Sequence, residues 1–415
     1  MKKIYYLFII LLCFFNINIV DATNIEKAYD YTYESINVDL SSKNVILYNL
    51  TDNYKLLDIK SEEKVQIASL TKIMTSIVVI ENIKNLDDKV KITNDVFKGI
   101  SEYSKVGFRV GDEVTYRDLL YGVLLSSGAD AVNALVLNIS GSEDKFVKLM
   151  NDKAKELKLS KTLFDNAIGK DSKNNYSSAY DLARLLNYAL SNETFKKIFT
   201  TRKYTADNLN LTMTSTLNVY GKDIDTSFIK GAKSGFTDGA GVCLASIATV
   251  NDVDYLLIVL GGNTNNRSNA VKDSVDIYNY LNKNYDYKIV LDNNKIVKKL
   301  DVKWGNIKSY NVKVNDDIKK YVKNTIDLNE LNYTYDGIDK LKYGNRKGEK
   351  IGKVNVWYKD NLIVTSDVYL NKEIKYYHPV MYGIMICLFI IMIISLIIEI
   401  KNRKKRKKKK YNLYM

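Results

Sequence analysis

Ala68-Ser69-Leu70-Thr71-Lys72-Ile73-Met74-Thr75 is a polar step at the head of an apolar, β-branched-rich run that reaches about Asn82. A helix starting near Ser69 puts the serine in a first turn whose backbone N–H groups have no intrahelical partners. Lys72 follows three residues later on the same face, within reach of the hydroxyl. A lysine among apolar residues and near a second cation loses basicity and can take a serine proton. The plainer reading of the same stretch makes Ser69 an N-cap and Lys72 a solvated side chain. Ser-x-x-Lys occurs four times, at Ser61/Lys64, Ser69/Lys72, Ser142/Lys145 and Ser227/Lys230, but only the second leads into a long apolar helix.

The rest of the composition narrows the chemistry. His378 is the one histidine, beside Pro379 and just ahead of a membrane-like run, so a Ser-His-Asp triad has no base. Histidine zinc sites are excluded for the same reason. Cys13 lies in the leader and Cys387 in the C-terminal apolar run, which leaves Cys243 without a disulfide partner. Cys243 reads as a small buried strand residue. No cofactor and no metal are expected.

Both ends carry topology. Lys2 and Lys3 precede the apolar run Ile4 to Phe15, and Val20-Asp21-Ala22 offers a small-residue cleavage site, so residues 1–22 read as a signal peptide. Val380 to Ile398 is nineteen uncharged residues, long enough to cross a hydrocarbon core of about 30 Å. Lys401 to Lys410 then supplies nine positive charges, a flank that stays cytoplasmic and leaves the preceding region outside the cell. Residues 399–415 are the basic cytoplasmic tail. With tail and leader set aside, residues 23–371 hold only +4 of the formal +14, so nucleic acid is not an expected partner.

Between the ends, Asn44–Asn49 and Tyr54–Ile59 read as a hairpin. Helices are expected over Tyr116–Leu125, over Glu143–Leu157 with Phe146, Leu149, Met150, Ala154 and Leu157 on one stripe, and over Tyr180–Leu190 with Asp181 and Arg184 facing outward. Gly241–Val250 and Asp254–Gly261 form a second hairpin, which a helix over Val271–Leu281 can cover. Strands at both ends with helices between them predict an α+β fold, an antiparallel sheet covered by helices with an inserted helical cluster. Near Tyr287 the texture changes to short alternating strands. The catalytic domain is read as residues 23–285, a small β-rich domain as 286–374, and the transmembrane helix as 380–398.

Two further polar stretches stand out. Leu125-Ser126-Ser127-Gly128-Ala129-Asp130-Ala131 breaks an apolar helix before another begins. Gly231-Ala232-Lys233-Ser234-Gly235-Phe236-Thr237 leads through Gly241 into the strand with Cys243, and a cation, a hydroxyl and a glycine in succession on a strand edge can meet a carboxylate. In this order and spacing the three stretches resemble the low-molecular-mass penicillin-binding proteins, the D-alanyl-D-alanine carboxypeptidases of the Ser-x-x-Lys, Ser-x-Asn, Lys-Thr-Gly class. Phe164-Asp165-Asn166-Ala167-Ile168-Gly169 and Tyr176-Ser177-Ser178-Ala179-Tyr180-Asp181 resemble the family's intervening block. The resemblance covers residues 36–374 and includes Lys347-Gly348-Glu349-Lys350-Ile351-Gly352 in the β domain.

The resemblance implies roles. Ser69 is the acylated nucleophile, Lys72 its base, and Ser127 part of the proton relay. Lys233 and Ser234 bind the terminal carboxylate, Gly235 lets the ligand approach, and the N–H groups of Ser69 and Phe236 form the oxyanion hole. It also implies that Lys233 lowers the pKa of Lys72 by repulsion, that a peptidoglycan stem ending in D-Ala-D-Ala is the substrate, and that β-lactams are covalent inhibitors. Ser234 stands for the usual threonine, and Ala129 for the usual asparagine, which bears on substrate positioning and turnover. Asn133, four residues on, is not expected to replace it. A β-lactamase on the same scaffold and a wall-binding protein with an impaired site are the competing readings.

Overall fold

The computed structural model describes residues 36–377 and 379–411. The leader, with its cleavage site after Ala22, and His378 lie outside the described residues. The chain divides into two compact units, the first ending at Asp286 and the second starting at Tyr287.

The first unit is built on five strands: β1 (Asn44–Asn49), β2 (Tyr54–Ile59), β3 (Ile229–Thr237), β4 (Gly241–Val250) and β5 (Val253–Gly262). They pair antiparallel in the order β2-β1-β5-β4-β3. Asn251 and Asp252, both at positive φ, turn β4 into β5 as a two-residue hairpin requires. Alternation sorts the strand side chains by face. Ile46, Tyr48, Leu256, Ile258 and Leu260 point into the main core. Tyr278 of the helix Asn269–Asn284, the last of the first unit, meets Ser246 of β4 through their hydroxyls, 2.9 Å apart.

Seven helices fill the segment between β2 and β3: α1 (Thr71–Asn82), α2 (Tyr116–Leu124), α3 (Ala129–Ser140), α4 (Glu143–Glu156), α5 (Ala179–Leu190), α6 (Glu193–Phe199) and the short α7 (Thr216–Tyr220). The fold is therefore α+β, with a helical cluster inserted into an antiparallel sheet. α1 is buried continuously from Thr71 to Val79, the state of a helix apolar on all sides. Local chemistry sets the other starts. Thr115 and Asp118 form a capping box for α2, and Ser142, Ser178 and Asn192 accept backbone N–H groups at the starts of α4, α5 and α6.

One outward face is corrected. Asp181 is 1% exposed and accepts from Lys161 N at 2.7 Å and Thr162 Oγ1 at 2.8 Å. Arg184 donates to the carbonyls of Leu157 and Lys158, both at 2.9 Å. The polar positions of α5 are turned onto the loop between α4 and α5, which needs partners for its backbone.

The second unit has its own core, with Leu300, Val312, Val322, Leu341, Val354, Val356 and Val368 at its centre. A three-stranded antiparallel sheet runs Leu331–Gly337, Lys350–Tyr358, Asn361–Tyr369. A second sheet joins Lys298–Lys303 to Ser309–Val312 antiparallel and to Lys340–Lys342 parallel. The helix Pro379–Tyr411 follows, with no part of its apolar window buried.

Candidate active site

Ser69 sits on a 3-10 turn, Ala68–Leu70, that runs directly into α1. Neither the turn nor the helix has a side-chain cap, so Ser69 is not spent on capping. Ala68 before it lies at φ +47°, the left-handed region that non-glycine residues seldom occupy. Gly169 explains how that turn is held. A Cβ on Gly169 would stand 2.0 Å from the Ala68 carbonyl oxygen, and its φ of +84° suits only glycine. The segment around Gly169 is thus pressed onto the Ser69 turn.

Lys72 Nζ lies 2.9 Å from Ser69 Oγ and donates to the Ile168 carbonyl at 2.6 Å. Its side chain is 1% exposed. Burial lowers its pKa to about 7, against the opposing pull of the Asp130 carboxylate. Lys233, reached from β3, is fully buried and donates to Ser127 Oγ at 2.9 Å and to the Ser234 carbonyl at 2.7 Å. Burial first, and repulsion from Lys72 second, push it well below the usual lysine range. The expected lowering of Lys72 by burial is present, but the repulsion expected from Lys233 is corrected: it falls on Lys233 and not on Lys72.

Ser127 lies between α2 and α3 at φ +57°. Ser234 donates to Thr216 Oγ1 at 2.7 Å. Gly235 lets β3 pass close to the nucleophile turn, since a Cβ there would be 3.2 Å from Ser69 N and 3.1 Å from Ile67 O. All seven sequence-derived positions fall on the three segments that meet here, with Ser69 and Phe236 partly exposed and Lys72, Ser127, Lys233, Ser234 and Gly235 buried. Cys243 pairs with Gly235 across the sheet as a buried thiol, raised by burial to about 12 and thus inert.

Ala129 is fully buried in the core, and Asn133 is turned away, donating to Val96 O at 2.8 Å. No side chain of that pair offers an amide where the second motif normally has one.

Several partners carry no motif signal. Ile168 acts through its carbonyl, which every residue has. Asp130 accepts from Val106 N at 2.9 Å and Gly107 N at 3.0 Å, tying the loop ahead of α2 to the second motif. Asp171 accepts from Thr237 Oγ1 at 2.5 Å and Gly239 N at 2.9 Å, joining the Gly169 segment to the end of β3. Arg267 stacks its guanidinium 3.0 Å from the centroid of the Phe236 ring.

A five-stranded sheet with this helical insertion, carrying a serine and two buried lysines at the strand edge, has the architecture of the serine DD-peptidases. The chain belongs to the D-alanyl-D-alanine carboxypeptidase family of serine peptidases, whose profile its residues 31–264 match. It is similar to the D-alanyl-D-alanine carboxypeptidase DacF of Bacillus subtilis (strain 168), 28% identical over 343 residues, 80% of this chain and 86% of that protein. DacC of Escherichia coli (strain K12) is 36% identical over 257 residues, 57% of this chain and 60% of DacC. Among solved structures, penicillin binding protein 5 from Haemophilus influenzae superposes with a TM-score of 0.60 at 25% identity, covering 82% of this chain and 99% of that one. The protein is a serine-type D-Ala-D-Ala carboxypeptidase.

Proposed function

We propose that the enzyme removes the terminal D-Ala from peptidoglycan stem pentapeptides through an acyl-Ser69 intermediate, and that penicillin inhibits it by stopping at that stage. The observation that carries this reading is the 2.9 Å approach of a buried amine, lowered to about 7, to the Ser69 hydroxyl. Neutral Lys72 takes the Ser69 proton as Oγ attacks the carbonyl between the two D-alanines. The N–H groups of Ser69 and Phe236 meet the developing oxyanion, where removing one donor typically costs about 2.7–4 kcal/mol of barrier. Ser127, bonded to Lys233, relays the proton that Lys72 took to the departing amine of D-Ala, which leaves Lys72 neutral to take a proton from the attacking water. Lys233, Ser234 and the Arg267 guanidinium hold the terminal carboxylate, and carboxylate binding raises the proton affinity of Lys233. Water then hydrolyses the acyl-enzyme.

In the same reading residues 1–22 are removed on export, 23–285 carry catalysis, 286–374 form a separate β domain, and 380–398 cross the membrane. The basic tail stays in the cytoplasm and the catalytic domain faces the wall.

Labelled penicillin and a D-Ala-D-Ala peptide test the mechanism together. Wild-type protein takes up stable label and releases D-Ala; Ser69→Ala loses both. Label retained by Ser69→Ala would refute the assignment of the nucleophile. Rapid loss of label as hydrolysed drug would instead indicate a lactamase.

A further inference from the structure

Trp304, Lys342, Tyr343 and Tyr376 line an open cavity of about 550 Å³ on the second unit. Trp304 is 55% exposed and Tyr343 54%. Trp304 also adopts φ +56°, a conformation that a bulky residue holds only when its surroundings impose it. Those surroundings are the segment that enters the C-terminal helix. Tyr377 N donates to Trp304 O at 3.1 Å, Asn306 N to Lys375 O at 2.9 Å, and Lys375 N to Asn306 Oδ1 at 3.1 Å. Tyr343 N donates to Lys303 O at 3.0 Å, and its ring meets Tyr376 edge-on at 5.1 Å. Tyr377 stacks on Tyr382 in the first turn of the helix, with centroids 5.8 Å apart.

We propose that this aromatic face rests in the headgroup layer of an anionic bilayer, so that the second unit lies against the membrane its own helix enters. The inference rests on reading Pro379–Tyr411 as membrane-spanning. Apolar rings with a polar edge prefer the boundary between hydrocarbon and water. Here they are fastened by backbone bonds to residues two to four positions ahead of the helix, which fixes them at its outer end. Lys303 and Lys342, at the ends of their strands, and Lys375, on the segment ahead of the helix, are all exposed beside this face. They supply the charge that anionic headgroups attract. The strained backbone at Trp304 then has a purpose, since it turns the indole outward instead of into the core.

The chain has two tryptophans, so full-length protein with Trp357→Phe reports on Trp304 alone. The protein is reconstituted into vesicles of phosphatidylglycerol and phosphatidylethanolamine bearing a nitroxide near the headgroup or deep in the chains. Trp304 fluorescence should be quenched several-fold more by the shallow label than Trp357 is in the Trp304→Phe counterpart. Lys303→Gln, Lys342→Gln and Lys375→Gln together should cut that quenching at least in half. Water-exposed, unquenched Trp304 overturns the proposal. So does a Trp304 signal that responds to soluble glycan fragments of the wall and not to lipid, which would make the face a sugar subsite. Alkaline carbonate extraction run alongside reports on the spanning helix separately, and penicillin labelling at Ser69 reports on the catalytic reading whatever the lipid result.

Discussion

Lys72 shows how one buried side chain fixes the conditions under which this site works. Its ammonium form cannot accept a proton, so kcat/KM should climb with pH along a limb centred near 7. Asp130 favours the charged form of Lys72. Asp130→Asn keeps an acceptor for Val106 N and Gly107 N but removes the charge, and should move that limb to lower pH. A pH profile of D-Ala release measures both, and an unmoved limb in Asp130→Asn would separate the carboxylate from the base. Spacing alone did not single out this pair, since Ser-x-x-Lys occurs four times and an N-cap reading also fitted Ser69. The three polar stretches read together did, and the structure places the two side chains 2.9 Å apart. The environment of the pair was not legible. That Ile168 supplies the carbonyl for Lys72 depends on a segment 96 residues away in sequence, and no side-chain pattern announces a backbone acceptor. Asp181 was misplaced for a related reason. Period alone marks a carboxylate as outward, whereas the backbone N–H of Lys161 needed a buried acceptor.

Among the elements, the segment from Phe164 to Ser178 holds the site together without touching the chemistry. It gives Lys72 a carbonyl, braces the Ser69 turn through Gly169, accepts Thr75 Oγ1 at Ala167 O (2.8 Å), and reaches β3 through Asp171. Asp171→Ala removes two hydrogen bonds to the β3–β4 turn and should destabilise the protein by about 1–3 kcal/mol. KM for a D-Ala-D-Ala peptide should rise more than kcat falls, because the end of β3 proposed to bind the carboxylate loosens while Ser69 and Lys72 stay in place. Steady-state kinetics with a denaturant titration reads both quantities. Helices and strands were largely legible here: α1, α2, α4 and both sheet hairpins follow from hydrophobic period and turn residues. The short hairpin Lys203–Ala206 with Leu211–Thr214 was not, since its stability comes from Tyr204, which stacks on Tyr121 at 3.7 Å and donates to Asp118 at 2.7 Å.

For the molecule as a whole, two separate cores predict two thermal transitions, and only one should answer to the buried amines. A lysine lowered from 10.5 to about 7 opposes folding most strongly below pH 7, and the penalty fades as the pH rises toward 10.5. Lys72→Met should therefore stabilise the first unit at pH 6 by about 1–3 kcal/mol while abolishing catalysis. The second transition should not move. Calorimetry at pH 6 and pH 9 tests this: the gain should shrink at the higher pH, and an equal gain at both would mean that burial of charge is not its source. At this scale the sequence had made the membrane-like helix and the change of texture near Tyr287 plain. The aromatic face around Trp304 was invisible, because three loops far apart in sequence assemble it.

On the proposed reading, in which the long apolar helix at the C-terminus crosses a membrane, that helix also alters what concentration means for this enzyme. A catalyst held to a sheet of lipid samples only the layer within its tether's reach. Its turnover then follows how many uncrosslinked strands pass per unit area, and diluting the cells a hundredfold would leave each molecule's workload unchanged.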